Sequence, residues 1–182
     1  TAILTINTLS LEAFLFVLAI IEGVAFAAET LSGISKGEME TDSPRTDYSP
    51  DIVKTALAAS LVIALLASSL SVLFPQFVFG LLTNHAEVLG EVSAYIGWLL
   101  PILCLIAIAF VIDSYFFSIG NGKSPRNAAV VGALLGFLPF YAISYYLHSN
   151  HWLWFSLVMF MLVRAIYISL SYLNTSSPAQ DV

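Results

Sequence analysis

Five stretches of about 20 apolar residues, each long enough to cross a hydrocarbon layer about 30 Å thick, dominate this chain. A chain built this way has few choices. Lipid offers the backbone no hydrogen bonds, so each stretch must satisfy its own N–H and C=O groups as a helix. A sliding window of that length places the spans at about residues 8–34, 53–74, 88–119, 128–147 and 152–172. The expected fold is therefore all-α: a polytopic membrane helix bundle with five transmembrane helices.

Composition narrows the function. Of 182 residues 59% are hydrophobic and only 10% charged, and the mean hydropathy is +0.90, whereas soluble core helices carry an amphipathic stripe. The formal net charge of −6 and the lack of clustered Lys and Arg exclude nucleic acid as a partner. Cys104 is the single cysteine and lies in an apolar run, so the chain holds no disulfide framework or cysteine-rich metal site; it reads as a small packing residue. No H-E-x-x-H, Walker loop or nucleophile elbow occurs, and neither an enzyme nor a cofactor is expected.

The links set the orientation. "SKGEMETDSPRTDYSPD", residues 35–51, is rich in charge, Ser and Pro and reads as an aqueous loop. "FPQFVFGLLTNHAEVLGE" carries Pro75, Gly80 and Asn84, the marks of a broken helix end followed by a short interfacial segment. Residues 174–182 read as a frayed tail. Lys36, Arg45 and Lys54 flank or occupy the first link, Lys123 and Arg126 the third, and Arg164 falls in the inner half of the last span. By the positive-inside rule the first and third links are cytoplasmic, and so is the C-terminus. An outside start without a signal peptide leads to the expectation of a longer protein with at least one earlier helix, the alternatives being a genuinely external start or a truncated, non-transporting membrane protein.

Ionisable groups within spans are the sharpest functional signal, because a charge at membrane depth costs about 2.5–3.5 kcal/mol on insertion scales and needs a wet or protein-lined surrounding. Glu22 and Glu29 stand seven residues apart and fall on one helix face, which Gly33 extends by a turn. Asp113 lies near the end of the third span. A carboxyl in such a cavity changes charge when a proton or cation arrives, the physical basis of ion coupling. The alternatives are an interfacial acid for Glu29 and a structural hydrogen-bond partner for Glu22 and Asp113. Glu12 is expected to be solvated. Arg164 is expected to snorkel to the inner interface rather than to join a buried ion pair.

Gly97 and Pro101 fall in the middle of the third span, as a hinge or a static kink. Gly132 and Gly136 form a G-x-x-x-G pair followed by Pro139, read as helix packing. His148 and His151 have H-x-x-H spacing but sit among Tyr145, Tyr146, Trp152 and Trp154, an aromatic interfacial belt rather than a metal site. Tyr115, Phe116 and Phe117 are core or lipid packing, or contacts to a lipophilic substrate.

Two stretches carry a family likeness. "IEGVAFAAETLSGISKG", residues 21–37, holds E-x-L-x-G-x-x-x-G at Glu29, Leu31, Gly33 and Gly37; "IDSYFFSIGNGKSPRNA", residues 112–128, ends a helix with Asp, a Phe-rich turn and a small basic loop. With "LFPQFVFGLLTNHAEVL", "PFYAISYYL" and "LVRAIYISL" in the expected order, the chain resembles the C-terminal half of a MATE (multidrug and toxic compound extrusion) transporter, most closely the DinF-like subgroup. The resemblance implies twelve helices in two lobes, of which residues 1–173 supply helices eight to twelve with a cytoplasmic loop at 35–51 and a cytoplasmic tail at 174–182. It also implies export of drugs or other amphiphiles against a Na⁺ or H⁺ gradient, with membrane lipid and the N-terminal lobe as partners. Asp113 occupies the position of a helix-ten acid that one branch of the family uses in a cation site, whereas in the DinF-like branch the better-known coupling aspartate lies on helix one, outside helices eight to twelve. Ser114 replaces the usual Gly and adds a hydroxyl or narrows the groove, and the first loop is longer and more acidic than is common.

Overall fold

The structure, a computed structural model, describes residues 2–39, 49–80 and 95–176. Among these, every regular element is helical: α1 (Ala2–Met39), α2 (Ser49–Leu73), α3 (Pro75–Gly80), a 3₁₀ turn (Ile96–Trp98), α4 (Leu99–Ser118), α5 (Lys123–Val131), a π segment (Gly132–Phe137), α6 (Leu138–Leu147) and α7 (Asn150–Ser176). Five stretches are long and apolar enough to cross a membrane, as expected; α5, the π segment and α6 together make the fourth. The helices overrun their apolar cores. Residues 35–39 and 49–51 of the expected loop are helical, and so are 174–176 of the expected tail; residues 40–48, with Arg45, and 177–182 lie outside the described residues.

The packing turns the soluble-protein pattern inside out. On α2 the buried stripe is Ser49, Val53, Ala56, Ser60, Ala64, Ser68 and Ser71, at helical spacing, while Leu65, Leu66, Leu70 and Leu73 face outward. Small inward residues let backbones approach, and hydrocarbon neither penalises nor rewards outward leucine. The Ser68 and Ser71 hydroxyls donate to the carbonyls of Ala64 and Ala67 one turn back, at 2.6 and 2.8 Å. α4 is central: 56% of its span is buried, against 17–28% for the other four, and α1, α2 and α7 all pack on it.

Chain turns follow their residue chemistry. Pro75 stops α2 and starts α3 where its missing N–H is no loss; the interfacial segment expected after it, residues 81–94, lies outside the described residues. α4 ends in a Schellman motif, with Gly120 at φ 72, its N–H donating to Phe117 O at 2.9 Å and the Asn121 N–H to Phe116 O at 2.8 Å. His148 ends α6 in the left-handed region at φ 48, so the link between the last two spans shrinks to His148 and Ser149.

Gly97 and Pro101 correct an expectation. Gly97 lies in the 3₁₀ turn and Pro101 in the first turn of α4, where a helix leaves its N–H groups unbonded in any case. Neither interrupts a continuous helix. The widened backbone falls instead in the fourth span, at Gly132–Phe137, just before Pro139, whose ring crowds the carbonyl four residues back.

One end of the bundle is clamped by polar groups. Asn7 and Asn150 exchange amide hydrogen bonds of 2.9 Å, and the Trp154 indole donates to Asn7 Oδ1 at 3.1 Å. Beside them His151 stacks on Tyr95 at 4.7 Å and accepts from Trp98 Nε1 at 3.3 Å, so it sits in an aromatic cluster as expected. Among the described residues no three His, Cys, Asp or Glu side chains stand close enough together to share one metal ion. Asn7→Leu is expected to strand both the Asn150 amide and the Trp154 N–H, costing about 1–2 kcal/mol. A thermal melt in detergent checks it, with Asn7→Gln, which keeps the amide, falling between.

Candidate functional site

The acids singled out by the sequence meet at one pocket. It holds about 240 Å³ and is lined by Glu22, Ala25, Phe26 and Glu29 of α1, Phe110, Asp113, Ser114 and Phe117 of α4, and Arg164 of α7. Helix geometry explains the convergence: Glu22 and Glu29 are two turns apart, and Phe110, Asp113, Ser114 and Phe117 follow the i, i+3, i+4, i+7 face. α1 and α4 run parallel, since Lys36 in the last turn of α1 lies 4.8 Å over the Tyr115 ring in the last turns of α4.

Asp113 is 4% exposed and ion-paired with Arg164, whose NH2 group donates to Asp113 Oδ2. This overturns the expectation of a snorkelling arginine. The guanidinium finds a carboxylate on the neighbouring helix and lies 5.3 Å over the Phe110 ring, so stretching to the interface would forfeit both contacts in a medium that screens little. The partners are 51 residues apart, and nothing local in sequence pairs them. The available signal was coarser: one arginine deep in a span implies a carboxylate for it.

The pair is incompletely satisfied. Asp113 Oδ1 and Arg164 Nε are buried with no hydrogen-bond partner among the described residues. Glu22 and Glu29 are half-buried and have no cationic partner there either. Three carboxyls thus share a pocket with one guanidinium, a net formal charge of −2 when all are ionised. Ser114 is buried and donates to Val111 O at 2.7 Å, a bond that leaves the lone pairs of its oxygen unused, and it lines the pocket.

The aromatic assignment needs correcting. Phe116 is fully buried and Tyr115 is 7% exposed; both belong to the core with Ile168 and Ala128, and Tyr115 meets Tyr172 edge-on at 4.9 Å. The aromatic wall of the pocket is Phe26, Phe110 and Phe117.

Two glycines set the distance of α7. A Cβ on Gly136 would lie 2.5 Å from the Met159 carbonyl oxygen and 2.8 Å from Phe160 Cα. On Gly132 it would lie 3.1 Å from the Phe160 carbonyl oxygen and 3.2 Å from Arg164 Cβ, so the G-x-x-x-G pair also seats the root of the arginine. Gly33, which extends the face of the two glutamates, has nothing within 4 Å of such a Cβ.

A family model described as MatE matches residues 3–142, which takes in Glu22, Glu29 and Asp113 and stops short of Arg164. DNA damage-inducible protein F of Escherichia coli (strain K12) is 23% identical over 164 residues, covering 90% of this chain and 34% of that protein. The chain therefore spans about a third of the length of the curated relative it matches. With five apolar spans and a family match running from α1 into α6, the chain is that of an integral membrane protein and belongs to the MatE family.

Proposed function

We propose that this chain is a part of the C-terminal lobe, helices eight to twelve, of an ion-coupled antiporter of the DinF-like branch, which exports drugs or other amphiphilic organic compounds by alternating access. The observation that carries the reading is the meeting of Asp113, Glu22 and Glu29 at one pocket within membrane-spanning helices. Acids in such surroundings hold a proton or Na⁺ in one state and release it in another, and Ser114 supplies an oxygen to the same cluster. Phe26, Phe110 and Phe117 offer an apolar wall to an amphiphile. The relative's name is in keeping with the subgroup, and a match to about a third of its length is in keeping with a chain that supplies part of a transporter. Lys36, Lys54, Lys123 and Arg126, at or next to helix ends joined by the first and third links, support a cytoplasmic side there and a cytoplasmic C-terminus. A lipid flippase would want cations free for phosphate, whereas the arginine at this pocket is engaged by Asp113.

The test is Asp113→Asn in the full-length protein, reconstituted in vesicles under separately imposed Na⁺ and pH gradients. Gradient-driven export of a fluorescent organic cation is expected to fall about 5- to 150-fold, the effect of losing a typical coupling free energy. Insertion, read by protein yield in the membrane, stays unchanged. Wild-type coupling in the variant removes Asp113 from the role.

A further inference from the structure

We propose that Arg164 is a resident countercation of the acid pocket: it occupies Asp113 when no other cation is bound and moves toward Glu22 and Glu29 when one arrives. The inference rests on the pocket being a cation site and adds the residue that regulates its occupancy.

Three observations carry it. First, the contact is a single point. An arginine used as a staple presents Nε and one terminal nitrogen to both carboxylate oxygens. Here one terminal nitrogen meets Oδ2, while Arg164 Nε and Asp113 Oδ1 stay buried without partners. Both members keep unused bonding capacity beside a pocket of about 240 Å³, so Asp113 can take a second ligand and the guanidinium a second carboxylate.

Second, that carboxylate is at hand. Glu22 and Glu29 line the same pocket from α1, half-buried and without a described cationic partner. Repulsion among three acids in a poorly screened site favours a cation near them at all times. A guanidinium on a long flexible stem meets that need without leaving the protein.

Third, the stem is anchored by backbone packing, while the head is held by one hydrogen bond and one ring face. Gly132 allows the helix of Gly132 and Gly136 to approach α7 so closely that its absent Cβ would crowd Arg164 Cβ at 3.2 Å. The backbone and Cβ of Arg164 are thereby held, and exchange between acids is a change of rotamer rather than a movement of helices. An incoming cation then competes with Arg164 for Asp113 and is selected against it.

Binding to the purified full-length protein in detergent tests the exchange, with Na⁺ alone and tetramethylammonium alone as probes, followed by isothermal calorimetry. Arg164→Gln removes the competitor and is expected to raise the affinity for at least one probe about tenfold or more. Arg164→Lys keeps a mobile charge and should leave the affinity near wild type. Adding Asp113→Asn to Arg164→Gln should abolish the gain. A gain that survives in the double variant, or no gain for either probe in Arg164→Gln, overturns the exchange, and a melting temperature for each variant shows that the fold is retained. Loss of transport coupling in Asp113→Asn bears on the transport reading alone, so the two ideas fail separately.

Discussion

Gly136→Leu is expected to separate the last two spans. A Cβ alone would stand 2.5, 2.8 and 2.9 Å from Met159 O, Phe160 Cα and Met159 C, all of them backbone atoms that no rotamer change can move away. Relief requires α7 to shift as a body, which would carry Arg164 off Asp113 and Trp154 off Asn7. Gly136→Ala should already cost about 1–3 kcal/mol by overpacking, and the leucine more, enough to lower the yield of folded protein. Gly33→Ala is the control: with nothing within 4 Å of its added Cβ, it should be neutral or stabilise by about 1 kcal/mol through helix propensity. Cys104, the single cysteine of this chain, lies half-buried on central α4, so its own reaction with a thiol-reactive dye, read at that residue by mass spectrometry, reports unfolding of each variant. Equal dye-reactivity curves for Gly136→Leu and wild type would mean that the close approach does not hold the bundle together.

The second large effect separates two adjacent phenylalanines. Phe116 is fully buried against Tyr115, whose ring meets it edge-on at 5.7 Å, and lies in the cluster with Ala128 and Ile168. Phe116→Ala leaves a cavity and should cost about 3–5 kcal/mol. In a chain of this size that lowers the melting temperature by on the order of 10 °C. Phe117, one position on, is 49% exposed and lines the acid pocket, so Phe117→Ala should leave the melt nearly unchanged and weaken retention of an amphiphilic cation instead. A reversed outcome, with Phe117→Ala unstable and Phe116→Ala altering only cation retention, would place the core on the wrong ring.

Several features were legible in the amino-acid order because they depend on one helix at a time. Apolar length fixes the five spans, and the seven-residue spacing of Glu22 and Glu29 fixes a shared face. A G-x-x-x-G pair and a proline after the second span likewise announce a close approach and a break. What stayed hidden depends on which faces meet. The aromatic triplet Tyr115, Phe116 and Phe117 is uniform in sequence, yet a rotation of about 100° per residue sends two rings to the core and one to the pocket. Pro101 reads as mid-span only while the start of α4 is taken from hydropathy, which does not register the 3₁₀ turn at Ile96–Trp98.

By itself the sequence determined the solvent. Groups that cannot be hydrated must be internally hydrogen-bonded helices, and acids among them must find polar company. Only the tertiary structure decided which company: it set α7 against α4 at the distance that Gly132 and Gly136 permit, and so gave Asp113 an arginine 51 residues away while leaving Glu22 and Glu29 open to the same pocket. Hydrophobicity acts on each segment separately and carries no information about its neighbours, whereas an ion pair exists only once two helices have packed.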